Sequence, residues 1–322
     1  MHTSMLKTAL IALAFLTPYG FAKDDVTVKT FVYKTVGKLD IELDVHRIDD
    51  DQIRPVAVWC HGGALINGGR EGIGRAGRDL VNAGYCVASI DYRLAPETKL
   101  PGIMADLEDA FRWIRKNGRV KFNGDTSKIA VLGGSAGGYL AMTAGFRVEP
   151  RVDCIVAFWG YGDLVGPWMS EPSPHPGHQN KSLTADEMHS LENGPPIANA
   201  KDRTSDGQAY YQTCRQTGTW PKRVTGFDPK TETEKIEPFM AAQNIDATYP
   251  PILMIHGTRD TDVPHEQSEI MARECTKHGV EFKLISIANG EHGLRDASPE
   301  DIESAYAKVF PFIARFVPPS AP

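Results

Sequence analysis

The chain has 322 residues, 41% of them hydrophobic, and its 35 basic and 41 acidic residues give a formal net charge of −6. This length is enough for one large α/β domain or two smaller ones. The negative charge argues against nucleic acids and anionic membrane surfaces as partners.

The first 22 residues have the pattern of a secretory signal peptide. Lys7 precedes an apolar run at 9–16, and the small residues Gly20 and Ala22 suit cleavage after Ala22. The run is too short for an ordinary transmembrane helix. We therefore expect an exported protein, periplasmic or secreted, with no membrane span and a mature chain of residues 23–322. A buried first helix is the alternative interpretation.

Hydrophobic periodicity predicts two antiparallel strands followed by βα units. Residues 39–45 alternate apolar with polar side chains, after a first strand at 26–33. Further strands are predicted at 55–60, 85–90, 128–133 and 152–159, with a helix at 103–116. This alternation is typical of a mostly parallel, doubly wound sheet that helices cover on both faces.

The strand at 55–60 leads into His61, Gly62, Gly63 and Ala64. A loop of such small side chains can turn its backbone N–H groups toward a developing oxyanion. The sequence therefore predicts the N–H groups of Gly63 and Ala64 as oxyanion donors.

A second glycine pattern, at residues 72–77, fits G-x-G-x-x-G, and Asp91 ends a strand about twenty residues later, as a ribose-binding acid does. Eleven residues separate the preceding strand, which ends at Cys60, from Gly72. Gly72 therefore cannot make the required tight turn from strand to helix. An NAD-dependent oxidoreductase is a remote alternative, and we predict no cofactor.

The stretch from Gly133 to Gly137 is the most informative in the chain. It lies between a predicted strand and a predicted helix at 139–144, which is the setting of a nucleophile elbow centred on Ser135. So tight a turn strains the serine backbone and requires glycine at 133 and 137. The N–H of Ala136 is the further predicted oxyanion donor.

Residues 166–248 lack this alternation and are rich in proline, glycine and polar residues. So long a structureless loop is improbable in a compact domain, and we predict a cap inserted into the catalytic domain above the site. Four of its aromatic residues are candidates for roofing the site: Trp168, Tyr210, Tyr211 and Trp220. His175 and His178 lie in a proline-containing stretch of this segment and are expected to be solvated.

The last two predicted strands end in the remaining candidate residues. The strand at 251–255 leads to Asp260, and the strand at 280–286 leads to His292. The order Ser135, Asp260, His292 is that of α/β hydrolases. Asp262 is the neighbouring candidate for the acid, but it stands before Val263-Pro264 and is interpreted as a turn residue.

Five cysteines, an odd number, imply no complete disulfide framework. Cys60, Cys86 and Cys154 fall in predicted strands and are expected to be buried thiols. Cys214 could pair with Cys275. Because no zinc spacing is present, no metal site is predicted.

With these motifs the chain resembles α/β hydrolases of the esterase/lipase group related to bacterial hormone-sensitive-lipase-like carboxylesterases. The segment 91–96 (Asp-Tyr-Arg-Leu-Ala-Pro) is also typical of that group. The resemblance implies an α/β-hydrolase fold with Ser135 as nucleophile, His292 as base and Asp260 as acid. It also implies a structural role for His61 and a bracing role for Asp91-Tyr92-Arg93.

Two features depart from that group. Its loop usually has a fourth glycine where this chain has Ala64, and the Val263-Pro264 pair is closer to dienelactone-hydrolase and prolyl-peptidase relatives. These departures do not affect the predicted fold and chemistry, but they leave the subfamily unassigned.

The sequence therefore predicts a serine carboxylic ester hydrolase for short-chain esters, with acetyl or feruloyl esters of carbohydrates among the candidates. The expected partner is a small-molecule or carbohydrate ester. A prolyl-oligopeptidase-like serine peptidase is the nearer alternative, and a non-catalytic binding protein on a hydrolase scaffold is a remote one. The sequence leaves the oligomeric state open.

Overall fold

The computed structural model describes residues 26–319, so the predicted signal peptide lies outside the described residues. Eight strands form one sheet in the order β1-β2-β4-β3-β5-β6-β7-β8. Their bounds are β1 Val26–Val36, β2 Leu39–Ile48, β3 Arg54–Cys60, β4 Cys86–Ile90, β5 Gly124–Gly134, β6 Cys154–Phe158, β7 Ile252–Gly257 and β8 Phe282–Ile287. β2 pairs antiparallel with β1 and β4, and every other pair is parallel.

The sheet separates two groups of helices. Their bounds are α1 Gly74–Asn82, α2 Leu100–Phe122, α3 Ala136–Arg147, α4 Pro167–Ser170, α5 Ala185–Glu192, α6 Gly207–Thr217, α7 Trp220–Thr225, α8 Thr233–Ile236, α9 Ala241–Asn244, α10 Glu266–His278, α11 Pro299–Tyr306 and α12 Val309–Phe316. Side chains of α2, α3 and α10 share one apolar cluster, and those of α1, α11 and α12 share another. Helices therefore cover both faces of the sheet, which confirms the predicted α/β-hydrolase architecture.

Alternation of side chains along the strands builds the two clusters. In β3, Val56 and Val58 join the first cluster while Ala57 between them joins the second. Such two-sided burial explains why the central parallel strands are continuous apolar runs in the sequence. β2 pairs antiparallel on both of its sides, and its alternate residues Ile41, Leu43 and Val45 all join the first cluster.

Four loops at the carboxyl ends of parallel strands lie at one edge of the sheet. β3 and β5 run in register, with Cys60 opposite Gly133, and β7 and β8 pair Gly257 with Ile287. These strands lead to the His61 loop, Ser135, Asp260 and His292. Parallel pairing thus gathers residues distant in sequence at the edge where open α/β sheets place their sites.

The segment predicted as a cap carries α4 to α9 and short 3₁₀ helices at 176–178, 200–202 and 237–239. Several hydrogen bonds tie its second half to the rest of the domain, including the following two. Trp220 Nε1 donates to the carbonyl of Ala64 at 3.2 Å, and the hydroxyl of Tyr139 donates to the carbonyl of Phe239 at 2.9 Å. We keep the name cap segment for residues 166–248, whose role remains a prediction.

The sequence left open whether Cys214 pairs with Cys275, and the structure shows that they do not form a disulfide. All five cysteines are buried and free. Cys214 lies on α6 within the cap segment, whereas Cys275 lies on α10 of the sheet-covering layer. Burial raises the pKa of Cys214 to about 12, which makes this thiol a poor nucleophile.

Candidate active site

Ser135 occupies a strained turn between β5 and α3. Its φ of 57° and ψ of −123° lie outside the regions that L-residues favour, at a cost of about 1–3 kcal/mol. A Cβ on Gly133 would lie 2.2 Å from the Gly137 carbonyl oxygen, and one on Gly137 would lie 2.0 Å from that of Cys60. Only glycine fits at these two positions, as the sequence predicts.

His292 connects Ser135 to Asp260. Its Nε2 lies 3.0 Å from Ser135 Oγ, and its Nδ1 lies 2.8 Å from Asp260 Oδ2. The other carboxylate oxygen of Asp260, Oδ1, accepts the backbone N–H groups of Asp262 at 3.0 Å and Val263 at 2.8 Å. Backbone amides thus fix the carboxylate that orients the imidazole.

The electrostatics of this pair favour a charged His292. Burial alone would lower the pKa of His292, but the hydrogen bond with Asp260 and the charges of Asp262, Asp260 and Glu291 raise it above its ordinary value. For Asp260, burial alone would raise the pKa, but hydrogen bonds with His256 and His292 lower it. The arrangement stabilises an imidazolium beside an ionised carboxylate.

The glycine loop packs directly against the serine turn. A Cβ on Gly62 would lie 2.8 Å from the Gly134 carbonyl oxygen and 3.4 Å from Ser135 Cβ. Gly63 has φ +111° and Ala64 has φ 58°, so the loop keeps a left-handed conformation where the related enzymes usually have a further glycine.

Two backbone hydrogen bonds close the glycine loop. The carbonyl of Gly63 accepts the N–H groups of Ile66 at 2.9 Å and Asn67 at 2.8 Å. Ala136 is the first residue of α3, where the N–H has no partner within the helix. The use of Gly63, Ala64 and Ala136 as oxyanion donors remains a prediction.

His61 has a structural environment. Its Nδ1 lies 2.8 Å from the Gly62 carbonyl oxygen, and its ring stacks on Tyr92 with centroids 4.3 Å apart. The Tyr92 hydroxyl donates to the His61 carbonyl at 2.9 Å. Burial lowers the pKa of His61 to about 4, so the ring is neutral at ordinary pH and holds the loop.

The neighbours of Tyr92 brace the scaffold through ion pairs. Arg70 Nη1 lies 2.7 Å from Asp91 Oδ2, and Arg93 Nε lies 2.7 Å from Asp106 Oδ2. Burial raises the pKa of Asp91 to about 6 in spite of the hydrogen bond from Arg70. This pairing agrees with the bracing role expected of the segment.

The G-x-G-x-x-G stretch does not form a dinucleotide site. β3 ends at Cys60 and α1 begins only at Gly74. Gly72 is exposed, and a Cβ added to it would touch nothing within 4 Å. The carboxylate of Asp91 is occupied by Arg70 rather than left open for a ribose.

Asp262 departs most from its interpretation as a turn residue. Asp260 Oδ1 closes the turn, while Asp262 Oδ1 accepts hydrogen bonds from Tyr211 Oη at 2.6 Å, His178 Nε2 at 3.0 Å and Arg215 Nη1 at 3.2 Å. Asp262 Oδ2 lies 3.8 Å from His292 Nε2. Through this cluster the cap segment reaches the neighbourhood of His292.

The expectation that His178 is solvated is wrong, because its ring is buried between two partners. Its Nδ1 lies 2.8 Å from Ser173 Oγ, opposite the contact with Asp262. His175, by contrast, is half-buried. The contact with Asp262 crosses 84 positions of sequence, so no local pattern could have revealed it.

The four predicted roof aromatics divide into two groups. Trp220 is fully buried against the glycine loop, and half-buried Trp168 packs on Tyr161 with centroids 5.3 Å apart. Tyr210 instead bonds Glu192 within the cap segment, and Tyr211 bonds Asp262. Tyr161, which stacks on Tyr139 with centroids 5.0 Å apart, was not among the predicted residues.

Trp159 was also missed, although it lies at the site. Its ring meets His292 edge-on with centroids 6.3 Å apart. Trp159 directly follows β6, but the strand predicted at 152–159 includes this residue, so its position beyond the strand end was hidden.

Within residues 26–319 no three His, Cys, Asp or Glu side chains are grouped to hold a metal ion. None of the helices in that range is both long and apolar enough to cross a membrane.

Curated proteins related to the chain are much longer than it. It is 28% identical to the non-reducing polyketide synthase mapC' of Penicillium brevicompactum over 91% of its own length and 16% of that protein. It is 27% identical to the methylphloroacetophenone synthase of Cladonia uncialis over 80% of its length and 12% of that protein. The chain thus spans less than a fifth of the length of these relatives.

Solved structures share the fold over nearly the whole chain. A protein of unknown function from Staphylococcus aureus subsp. aureus Mu50 matches with a TM-score of 0.67 and 20% identity, covering 90% of this chain and 99% of that one. A thermophilic esterase of Thermogutta terrifontis has a TM-score of 0.63 and 19% identity, covering 91% and 94%. A truncated carbohydrate esterase from gut microbiota has a TM-score of 0.63 and 20% identity, covering 91% and 98%.

A family model for the alpha/beta hydrolase fold matches residues 57–295. The matched range includes the glycine loop, Ser135, Asp260 and His292. It also includes the segment 91–96, and it covers most of the chain. The resemblance inferred from the sequence is confirmed, and the chain belongs to the α/β-hydrolase family.

Proposed function

We propose that this protein is a serine carboxylic ester hydrolase that acts through an acyl-enzyme. The observation that carries the proposal is the hydrogen-bonded chain from Ser135 Oγ through His292 to Asp260, at 3.0 Å and 2.8 Å. Its nucleophile stands on a strained turn, and backbone strain of this kind is concentrated at functional sites. An intact chain of this kind argues against a non-catalytic binding protein.

In this proposal His292 moves the proton in both half-reactions. Nε2 takes the proton of Ser135 as the oxygen attacks the ester carbonyl, and it returns that proton to the departing alcohol. Water then enters in place of the alcohol, and the same atom activates it to release the acid. Asp260 holds Nδ1–H, so that Nε2 carries the lone pair that the first step needs.

Negative charge develops on the carbonyl oxygen in each half-reaction. The N–H groups of Gly63 and Ala136, together with that of Ala64, are the proposed donors to it. In another serine hydrolase the loss of one such donor costs about 3–4 kcal/mol of transition-state stabilisation. The loop is therefore expected to matter nearly as much as the three side chains.

The proposed substrates are short-chain esters, among them acetyl or feruloyl esters of carbohydrates. Trp220 and Tyr161 are bulky and buried, with centroids 6.3 Å apart, and Trp220 bonds the glycine loop. We expect these two side chains to limit the length of the acyl chain. The similar structures named as a thermophilic esterase and a carbohydrate esterase support this class of substrate. Export of the mature chain remains part of the proposal and rests on residues 1–22.

The test combines turnover with covalent labelling. We expect the mature protein to hydrolyse p-nitrophenyl acetate and butyrate, and an organophosphate to add to Ser135, as mass spectrometry would show. A prolyl p-nitroanilide measures the peptidase alternative, and a higher kcat/KM on it than on the esters would replace the proposed function. Full ester turnover by Ser135→Ala would overturn the nucleophile assignment.

A further inference from the structure

A carboxylate outside the Ser135–His292–Asp260 chain faces the proton-carrying atom of the base. Asp262 Oδ2 lies 3.8 Å from His292 Nε2, the same nitrogen that lies 3.0 Å from Ser135 Oγ. Asp260 meets the imidazole on the opposite side, at Nδ1. The ring is therefore bracketed by two carboxylates.

The cap segment holds this second carboxylate in place. Tyr211 and Arg215 on α6, and His178 in the 3₁₀ turn at 176–178, all bond Oδ1. The side chain of Arg215 is only 2% exposed, whereas that of Asp262 is 22% exposed. With three donors on one oxygen, the other oxygen is left facing the imidazole.

We propose that Asp262 is a positioning residue, a carboxylate that the cap segment holds against Nε2 of His292 to stabilise the imidazolium formed during acyl transfer. The inference rests on the proposed esterase function. It assigns the cap segment a part in the chemistry besides any shaping of the pocket.

Coulomb attraction at this separation supports the assignment. Nε2 gains its proton when Ser135 attacks, and the new N–H faces a negative charge 3.8 Å away, between side chains that are only 19% and 22% exposed. Because Oδ2 lies beyond hydrogen-bond range, it attracts the proton without holding it, so the proton stays free to pass to the leaving alcohol.

Several other charged or titratable groups face the imidazole and its carboxylates. They are Asp260 at Nδ1, His256 behind Asp260 at 3.3 Å, Glu291, whose carboxylate accepts the backbone N–H of His292, Arg215 and His178 across Asp262, and exposed Arg295, which donates to the backbone carbonyl of His292. The acidic groups favour the protonated ring, and Arg215 opposes them by partly cancelling Asp262. Arg295 is exposed, so solvent and salt screen it.

Neutralising Asp262 and neutralising Arg215 are therefore expected to shift the pH dependence of kcat/KM in opposite directions. Neutralising Asp262 lowers the pKa of His292, so the acid limb of kcat/KM moves to lower pH. Neutralising Arg215 removes the positive charge that partly cancels Asp262, so the acid limb moves to higher pH. A contact that only fastens the cap segment would lower activity equally at every pH.

The experiment is the pH dependence of kcat/KM for p-nitrophenyl butyrate, since its acid limb reports the free enzyme. We expect Asp262→Asn to move the limb down by roughly one pH unit and Arg215→Gln to move it up. Tyr211→Phe is the matched control, because it removes one hydrogen bond to Asp262 without changing any charge, and its limb should stay within a few tenths of a unit of the wild-type limb.

Coincident limbs for Asp262→Asn and the wild type would overturn the proposal. So would shifts of the two charge variants in the same direction. If Asp262→Asn fails to fold, Asp262→Ser and Arg215→Gln carry the two signs. A wild-type protein that hydrolyses no ester and takes up no organophosphate would refute the proposed function instead, so the two failures are distinct.

Discussion

The sheet edge and the cap segment hold their functional side chains by different means. At the sheet edge, backbone groups fix the geometry: two amides hold Asp260 Oδ1, and the Ser135 amide donates to the Phe158 carbonyl at 2.9 Å. Asp262, in contrast, is held by side chains of the cap segment: Tyr211 Oη, His178 Nε2 and Arg215 Nη1 each bond its carboxylate.

This difference implies a division of labour. Backbone-fixed groups belong to the common fold and have one working geometry, so their loss should abolish turnover. Groups held by side chains depend on individual partners, and their loss should adjust rate, pH range or specificity by degrees. The following experiments test that contrast from its largest expected effect to its smallest.

The largest effect is expected at Ser135. Ser135→Ala and Ser135→Gly should both reduce kcat by about 10⁶, the scale seen when a serine protease loses its nucleophile. The two variants should differ in stability, because glycine relieves the strain of φ 57° while alanine keeps it. The expected gain for glycine is about 1 kcal/mol after its larger unfolded-state entropy is counted.

Thermal unfolding checks the second half of that prediction. For a chain of this size, about 1 kcal/mol corresponds to a rise of roughly 2 °C in Tm. If Ser135→Gly melts below Ser135→Ala, the turn stores no strain and the conformation assigned to Ser135 is wrong.

The next effect separates the two neighbouring carboxylates. Asp260→Asn should lower kcat by about 10⁴, because an amide at Nδ1 favours the unproductive tautomer, as in the serine-protease precedent. Asp262→Asn should stay within about tenfold at the optimum pH, a barrier change near 1.4 kcal/mol. Circular dichroism establishes that both variants are folded. The reverse ranking would move the acid to Asp262.

The same contrast explains what could be predicted from the sequence. The elbow at Ser135 could be predicted because its requirement is local: one serine between glycines whose Cβ atoms would lie about 2 Å from backbone oxygens. The strand ends could be predicted because fully buried strands such as β6 and β7 are continuous apolar runs in the sequence. Residues that follow those strands then meet at one sheet edge.

The cap segment could not be predicted in the same way. The contact of His178 with Asp262 joins residues 84 positions apart, and that of Tyr211 with Asp262 joins residues 51 apart. Neither follows a periodicity, and the prolines around His178 are typical of a solvated loop. Tertiary packing decides both. Asp262 does lie in a bend, as interpreted, but its side chain bonds the cap segment instead of its own backbone.

A third prediction concerns stability at the elbow. Gly137→Ala should cost more than about 3 kcal/mol in the free energy of unfolding, because its Cβ would lie 2.0 Å from the Cys60 carbonyl oxygen, and that backbone cannot move without distorting β3. Gly72→Ala is the control, since its Cβ would meet nothing within 4 Å, and it should stay within about 0.5 kcal/mol of the wild type. Urea unfolding measures both, and equal values would show that the elbow is not close-packed.

The smallest effect is expected on kcat/KM for each methylene added to the acyl chain of the substrate, because the cap segment is proposed to limit the length of the pocket. Each methylene that enters an apolar pocket gains about 0.8 kcal/mol, or roughly fourfold in kcat/KM, only while room remains. Trp220 is fully buried beside the glycine loop, and its Nε1 donates to the Ala64 carbonyl, so we expect kcat/KM to rise from acetyl to butyryl esters and to fall well before dodecanoyl. Trp220→Ala should shift the optimum toward longer chains, whereas Tyr210→Phe should leave it in place, because Tyr210 bonds Glu192 within the cap segment. Assays below micelle formation decide the matter: a wild-type enzyme as active on dodecanoyl as on butyryl esters would mean that the cap segment does not limit chain length.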